Sequence, residues 1–449
     1  MTNLPGRSKH MDDRQARAFL KEISAYGSVY GLESIRSLMA CLGNVQEQLT
    51  VIHVAGTNGK GSICAMLASI LQAAGYRTGV YASPAVFEPE EIMRVNGKYI
   101  SKEVFTELVQ KVQAACVDMQ KEGLPHPTVF EVETAIAFCF FKKEDCDLVL
   151  LETGLGGAMD ATNLISHPLC SVLSSISMDH MALLGQTLEE IAAAKAGIMK
   201  PGCPCVSSEQ PPEVTAVLKK AAAEIGSELR IADNSCIRSF SFDGEKSRFE
   251  ADIGWIDSCL CGTLALSGAC QKENLSCVLE VIRLLKEQNM RITREAVLEG
   301  LLHVRLPGRF EKISDKPDFY IDGAHNEGAA RSLQETVIRC FAGRRVVYMI
   351  GVFADKEYEK LLQIMLPYAA QVFTVTPRHE RALDGKKLAQ TAKKMHSFVT
   401  FVPDIMQAAE LAAKAAGRTG VVLAFGSFSY LGELKAGWKK TKKAGRNDG

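Results

Sequence analysis

A seven-residue loop, Gly56-Thr57-Asn58-Gly59-Lys60-Gly61-Ser62, constrains this chain more than any other feature. The run before it, Val51-Ile52-His53-Val54-Ala55, reads as a buried strand. The apolar residues after it, Ile63, Met66, Leu67, Ile70, Leu71 and Ala74, recur at helical spacing. A strand, a glycine-rich loop, a lysine, a hydroxyl and a helix in that order can surround a phosphate. Glycines let backbone N–H groups crowd an anion, Lys60 adds a point charge, and the helix N-terminus adds a partial positive charge. The spacing departs from the usual phosphate loop. Only Thr57 and Asn58 separate Gly56 from Gly59, and Gly61 separates Lys60 from Ser62. The ordinary alternative is a glycine-rich turn carrying a surface lysine. The flanking strand and helix favour phosphate binding.

Strand-like and helix-like segments alternate around this loop. Residues 77–82, 147–151 and 170–176 read as strands, the last two apolar on both faces as in parallel sheets. Residues 103–122, 130–144 and 187–199 read as helices, the last opened by a Thr187/Glu190 capping box. Over 229–266 short alternating segments and turn residues predict an antiparallel β element, followed by helices over 271–288 and 293–303. A second alternation begins after Leu306-Pro307-Gly308-Arg309. Its strands are 319–321, 345–350, 371–376, 398–402 and Val421–Phe425, with helices such as 328–341 and Ile405–Ala416 between them. The expected fold is α/β, with two doubly wound domains spanning 1–303 and 304–449. A length of 449 residues suits two domains.

Charge and cysteine usage narrow the class. Lysine plus arginine and aspartate plus glutamate both number 52, so neither nucleic acid nor a membrane surface is expected as a dominant partner. The basic tail, 435–446, reads as a solvated end. The 14 cysteines are scattered and lack zinc spacing, the CxC pairs Cys203/Cys205 and Cys259/Cys261 included. Free thiols in a reducing cytoplasm is the better reading. The polar N-terminus does not read as a signal peptide, and no apolar run approaches membrane-span length.

Several polar residues fall at strand ends, where open parallel sheets bind ligands. Glu152 precedes a second glycine-rich turn, Thr153-Gly154-Leu155-Gly156-Gly157, and suits a Mg²⁺ on nucleotide phosphates, or else caps a helix or pairs with a cation. Asp179-His180 follows the next strand, and His180 is either structural or part of a site with Glu152 and Lys60. Lys195 lies in an apolar helical run. On its own it reads as reaching outward to water. Asp322-Gly323-Ala324-His325-Asn326 and Gly426-Ser427 end strands of the second half, where turn and cap chemistry is the plain alternative.

Taken in order, these motifs resemble folylpolyglutamate synthase/dihydrofolate synthase, the folate branch of the Mur ligase superfamily. The likeness runs through His53 to Ser62, Ser83-Pro84, Leu151 to Gly157 with Asp160-Ala161-Thr162-Asn163, Asp179-His180, Lys195 to Ile198, Gln271 with Asn274, Leu306 to Arg309, Asp322 to Asn326, and Asp355-Lys356. It implies an N-terminal P-loop ATPase domain of Mur ligase type and a smaller C-terminal Rossmann-like domain. The implied enzyme is an ATP-dependent ligase. ATP phosphorylates a substrate carboxylate, and the amine of L-glutamate attacks the acyl phosphate. By the same likeness, residues 56–62 hold the ATP phosphates, and Asn274, Arg309 and Asp322 contact the nucleotide. Ser83, Glu152 and His180 would ligate Mg²⁺. Lys195 matches a lysine often carbamylated in the superfamily, able to serve a second Mg²⁺. Asp160 touches the substrate side, and His325 and Ser427 lie near the incoming glutamate. Lys60, Lys195, His180 and His325 are the implied catalytic set. The acceptor is a folate; dihydropteroate as a second acceptor stays open. The implied protein is a cytoplasmic monomer.

Departures from the family pattern fall on the acceptor side, apart from one at Cys270 on the adenine side. Ala85 stands where histidine usually follows Ser-Pro, and 85–91 lacks a Glu-Arg pair. Ala158 and Met159 replace Arg-Leu, and Cys270 replaces the histidine before Gln271. These changes keep a Mur-type ligase for another carboxylate as an alternative. A non-catalytic nucleotide-binding protein is a second one, opposed by the joint presence of Lys60, Glu152, His180 and Lys195.

Overall fold

The computed structural model describes residues 11–24, 27, 31–85, 89–255 and 259–447. The substrate-side loop expected to differ, 85–91, is therefore described only at Ala85 and from residue 89 onward. Three sheets organise these residues. The first joins β1 (Val51–Ala55), β2 (Thr78–Tyr81), β3 (Met93–Val95), β4 (Lys98–Tyr99), β5 (Leu148–Glu152), β6 (Cys170–Leu173), β7 (Cys205–Ser207) and β8 (Leu229–Ile231) in the order β4-β3-β2-β5-β1-β6-β7-β8. All its pairings are parallel except those of β3. The second is antiparallel, β9 (Ile237–Phe242), β10 (Ser247–Ala251) and β11 (Leu260–Leu264). The third joins β12 (Glu311–Ser314), β13 (Asp318–Asp322), β14 (Val346–Ile350), β15 (Gln371–Thr374), β16 (Val399–Phe401) and β17 (Val421–Phe425), in the order β12-β13-β17-β14-β15-β16.

Central strands are apolar on both faces because helices cover both. β1 and β5 are buried at every residue. One face of the first sheet packs on the helix Lys60–Ala73, the helices Gln271–Glu287 and Arg294–His303, and the three-stranded sheet. The other packs on Asp13–Ile23, Glu33–Cys41, Lys102–Lys121 and Val129–Lys143. Lys60–Ala73 is enclosed, which explains why it is apolar around most of its circumference. The capping box at Thr187 and Glu190 is present. Of the antiparallel stretch expected over 229–266, the first part differs. β8 pairs parallel with β7. At the sheet edge it is half-buried, so its alternation imitates an antiparallel strand.

The tail is also more than a solvated end. The helix Phe428–Asn447 buries Tyr430, Leu431, Leu434 and Trp438 against the third sheet, and Lys435 Nζ lies 2.6 Å from Glu311 Oε1. All 14 cysteines are free thiols. Among the described residues no helix is long and apolar enough to cross a membrane.

His53 on β1 is fully buried. Its Nε2 lies 2.8 Å from Thr162 Oγ1, while Nδ1 has no partner. Burial, with a smaller push from Lys200, lowers the imidazole to about 3. The unfolded chain protonates His53 below about 6.5, the folded chain only near 3. Stability held by the neutral ring is therefore present above the unfolded value and is lost as pH falls toward the folded one. The loss is at most about 1.4 kcal/mol per pH unit for one group. Urea unfolding at pH 7.5 and pH 5.0 checks this. His53→Gln should flatten the acid-side decline, and an unchanged slope would refute the assignment.

Candidate active site

The end of the first sheet gathers the polar residues in strand order. Ser83 follows β2, Glu152 ends β5, residues 56–59 follow β1, and Ser174 to His180 follow β6. Since β2, β5, β1 and β6 are neighbours, these groups form one row. Ser83-Pro84 is joined by a cis peptide bond.

The loop conformation depends on two glycines. Gly56 has φ +146°, and a Cβ there would stand 1.9 Å from Ser174 Oγ. Gly59 has φ +92° and caps the helix Lys60–Ala73 without a side chain. The first-turn N–H groups of that helix thus face outward with no side-chain cap, the arrangement that binds anions. Thr57 and Asn58 serve differently from the simple cradle. Their N–H groups donate to Ser175 O at 2.8 and 3.2 Å, and Thr57 Oγ1 donates to Ser177 O at 3.0 Å. They pin the loop to the segment after β6 and leave Gly59 to Ser62 to face a ligand.

Lys60 Nζ donates to Gly56 O at 3.1 Å and stands 4.0 Å from Glu152 Oε1. Glu152 is 6 % exposed. Burial pushes its carboxyl up, and Lys60, then Arg309 and Arg94, pull it down. Lys195 does not reach outward. It is 4 % exposed and donates to Gly56 O at 2.9 Å. Burial and the neighbouring Lys60 charge lower its ammonium to about 7. Burial is feasible because the turn 154–158 packs on its helix: Ala158 N donates to Ala194 O at 2.9 Å, and a Cβ on Gly157 would stand 2.8 Å from Lys195 O.

His180 faces Lys356. Its Nε2 lies 3.2 Å from Lys356 Nζ and 3.9 Å from Asp179 Oδ2. Burial, together with the Lys356, His325 and Lys195 charges, lowers its imidazole to about 4 against the pull of Asp179. Asp179 is a hub that sequence reasoning named without a role. Lys356 Nζ lies 2.6 Å from its Oδ1, and Asn326 Nδ2 donates to its Oδ2 at 2.9 Å. His325 Nε2 lies 3.5 Å from the same oxygen. Burial alone would raise the Asp179 carboxyl; the His325 contact and the Lys356 charge hold it far below the usual carboxylate range. Asn326 and Asn58 also exchange amide hydrogen bonds, at 3.1 and 3.2 Å. These contacts join the loop after β13 to the phosphate loop. Their signal was present in the Asp355-Lys356 and Asn326 motifs, but only the fold pairs them with Asp179.

In the second half, Asp322 ends β13 and Ser427 lies just after the neighbouring β17, since Asp322 pairs with Phe425 in the β13–β17 register. Asp322 accepts from Phe310 N and Ala324 N, both at 2.8 Å. Arg309 lies over the Phe428 ring at 4.6 Å. His325 Nδ1 is 2.8 Å from Gly323 O, and a carbonyl only accepts, so Nδ1 carries a proton. Ser427 is 5 % exposed, its Oγ 2.9 Å from Ser429 Oγ.

Two cavities are lined by chain neighbours of Lys60 and Glu152, Gly59 and Ser62 in one and Gly154 and Leu155 in the other. One, of about 370 Å³, is lined by Gly59, Ser62, Cys270, Asn274, Arg309 and Asp322 among others. Gln271 Nε2 is 3.4 Å from Ser62 Oγ, and Asn274 Nδ2 donates to Gln271 Oε1 at 3.1 Å. The other, of about 600 Å³, is lined by Ser83, Ala85, Phe130, Glu133, Met159 and Asp160 among others. Asp160 accepts from Leu155 N at 2.7 Å and Thr162 N at 3.0 Å, so its carboxylate orders the turn as well as walling the cavity. Among the described residues no group of three or more His, Cys, Asp or Glu is set to hold a metal. Ser83 and Glu152 offer hard oxygen donors that fit Mg²⁺. His180, turned to Lys356, does not join them in this conformation.

Residues 54–254 match the Mur ligase middle domain, and residues 308–428 match the Mur ligase glutamate ligase domain. The chain is 32% identical over 434 residues to a dihydrofolate synthase/folylpolyglutamate synthase of Bacillus subtilis, covering 94% of this chain and 98% of that one. It is 33% identical over 355 residues to a folylpolyglutamate synthase of Lacticaseibacillus casei, covering 78% and 82%. A Mycobacterium tuberculosis folylpolyglutamate synthase solved with ADP and AMPPCP superposes with a TM-score of 0.84 at 28% identity, covering 95% and 98%. E. coli FolC solved with DHPP and ADP gives 0.82 at 29%, covering 96% and 98%.

Proposed function

We propose that this chain, which belongs to the dihydrofolate synthase/folylpolyglutamate synthase family of Mur ligases, carries out its reaction at Lys60 and Glu152, at the end of the first sheet. It is an ATP-dependent ligase that adds L-glutamate to a folate. The observation that carries the assignment of residues is the Lys60–Glu152 pair, 4.0 Å apart, whose chain neighbours Gly59 and Ser62 line a nucleotide-sized cavity and Gly154 and Leu155 a larger one.

ATP takes the smaller cavity, with its base and ribose toward Asn274, Arg309 and Asp322 and its phosphates on Gly59 to Ser62. The folate takes the larger one, its carboxylate toward Lys60. That carboxylate attacks the γ-phosphorus, ADP leaves, and an acyl phosphate forms. The amine of glutamate, beside His325 and Ser427, then attacks the acyl carbon. Phosphate leaves as the amide forms, and the amine loses its proton. Phosphoryl transfer of this kind depends on positioning and charge neutralisation. Lys60 and the first-turn N–H groups supply both. Mg²⁺, held by Ser83 and Glu152, would add charge neutralisation on the phosphates when bound. Joining of the halves through Asp179, Lys356 and Asn326 excludes water from the acyl phosphate.

Lys195 fits carbamylation. An ammonium lowered to about 7 offers a neutral amine at physiological pH. That amine adds to the carbon of CO₂, one N–C bond forms and a proton is released, leaving an anion able to serve a second Mg²⁺. We place the domain boundary near residue 304, where the chain leaves the helix Arg294–His303 for the third sheet. We also assign a monomer and a cytoplasmic location, the latter in keeping with the free thiols.

The test is ADP release with Mg·ATP and L-glutamate, comparing tetrahydrofolate, dihydropteroate and no acceptor. Release with tetrahydrofolate alone is expected of a folylpolyglutamate synthase; release with both marks a bifunctional enzyme. Release with neither, from protein that binds ATP, would overturn the folate assignment.

A further inference from the structure

A third cavity, of about 250 Å³, lies on the segments that lead into β1, β6 and β7. It shares no lining residue with the two cavities of the active site. Arg36, from the helix Glu33–Cys41, and Lys200 bring two positive charges to it. Glu47 is the one acid of the lining; it is exposed. Among the described residues no carboxylate pairs with Arg36 or Lys200. Lys200 is half-buried, and its Nζ reaches only a backbone carbonyl, Asn163 O, at 3.5 Å. Asn163 is itself fixed, since its Nδ2 donates to Ala158 O and Gly197 O, both at 3.0 Å. Burial and then the Arg36 charge lower the Lys200 ammonium, and Lys200 in turn helps to lower the buried His53 ring. A partly desolvated cation beside a like charge is unfavourable until an anion joins it.

Gln46 adds a second requirement. It lines the same cavity, is 5 % exposed, and its Oε1 has no partner. A buried amide oxygen in that state calls for a donor. The ligand must therefore be anionic toward Arg36 and Lys200 and carry a hydroxyl for Gln46. Hydrogen phosphate meets both demands at neutral pH, because its charge is spread over bare oxygens while one oxygen keeps a proton. A guanidinium takes two such oxygens in parallel, and an ammonium serves another as a point charge. Sulfate matches the size and charge but has no proton to give. A phosphate monoester has its hydroxyl replaced by the ester oxygen. We propose that this cavity binds free hydrogen phosphate, held by Arg36 and Lys200 with its hydroxyl on Gln46. The assignment stands apart from the folate reading, although ligation by an acyl phosphate releases the same ion.

The experiment is calorimetric titration of inorganic phosphate into the full chain saturated with AMPPCP, which keeps the ion off Gly59 to Ser62. One saturable site is expected. Arg36→Gln and Lys200→Met keep most of each side chain's length and should each weaken phosphate about tenfold or more, with AMPPCP affinity unchanged. That unchanged affinity shows the variant to be folded, and either variant alone suffices. Sulfate at equal ionic strength should bind about tenfold or more weaker than phosphate, and Gln46→Leu should bring the two within about twofold. No saturable phosphate binding beside AMPPCP would overturn the inference. So would an affinity unchanged in both cation variants, or sulfate held as tightly as phosphate by the unaltered protein.

Discussion

Lys60→Ala should lower kcat by about a thousandfold or more while KM for the folate acceptor stays within about threefold. The reasoning runs from placement. Lys60 opens the helix whose first-turn N–H groups are uncapped, and its Nζ stands between Gly56 O and the Glu152 carboxylate. Charge that builds on the transferred phosphoryl group has no equally placed cation once the ammonium is gone, since Lys195, which donates to the same Gly56 O, is 4 % exposed and lowered to about 7. The larger cavity does not include Lys60, so the acceptor loses a cation at its carboxylate end but keeps its contacts along the cavity wall, and its KM should move far less than kcat. Lys60→Arg keeps the charge but not the compact shape, and should recover only part of the rate. Single-turnover ADP formation checks the prediction. A Lys60→Ala enzyme within tenfold of normal would remove Lys60 from the phosphate site.

Glu152→Gln should abolish most turnover, by about a hundredfold or more, and yet raise the melting temperature. The carboxylate is 6 % exposed, and burial is the largest influence on it, pushing its titration upward. A carboxyl raised in the folded state contributes stability that is present below its unfolded value and is lost as pH rises through the folded one. At neutral pH the ionised group therefore opposes folding. A neutral amide of the same shape relieves that opposition, at the expense of the oxygen charge that a hard cation and the phosphates require. Thermal melts of the unliganded protein together with ADP release at several Mg²⁺ concentrations test both halves. A fall in melting temperature would mean that the Lys60 contact outweighs desolvation. Near-normal turnover would mean that Glu152 serves no metal.

Much of this was readable in one dimension because local rules and tertiary structure agree. Period and burial coincide in β1, β5 and β17, whose apolar runs are buried at every residue. The helix Ile405–Ala416 and the strand Val421–Phe425 occupy the residues their pattern predicts, and the Thr187/Glu190 box forms as its spacing requires. Elements governed by partners far along the chain were not readable. β8 alternates like an antiparallel strand and pairs parallel at an edge. The helix Phe428–Asn447 carries so many lysines that its buried stripe of Tyr430, Leu431, Leu434 and Trp438 is masked.

The site divides along the same line. Chain order alone dictates that Gly56 to Ser62 follow a strand and open a helix, since strand, turn and helix are local and their signals lie within a few residues of one another. The same holds for Glu152 and Asp322 at strand ends. Where each side chain points was decided by contacts between distant segments. Lys195 is apolar-flanked and could have reached water; it is buried because the turn 154–158 closes over its helix and Gly56 O waits at 2.9 Å. Thr57 and Asn58 look like phosphate ligands, yet Ser175, 117 or more residues later, takes their N–H groups. Asp179 gathers Lys356, Asn326 and His325 from the other half, and His180 stands against that same Lys356. Burial and charge at a point in space are sums over everything packed around it, and no run of neighbouring residues contains that sum.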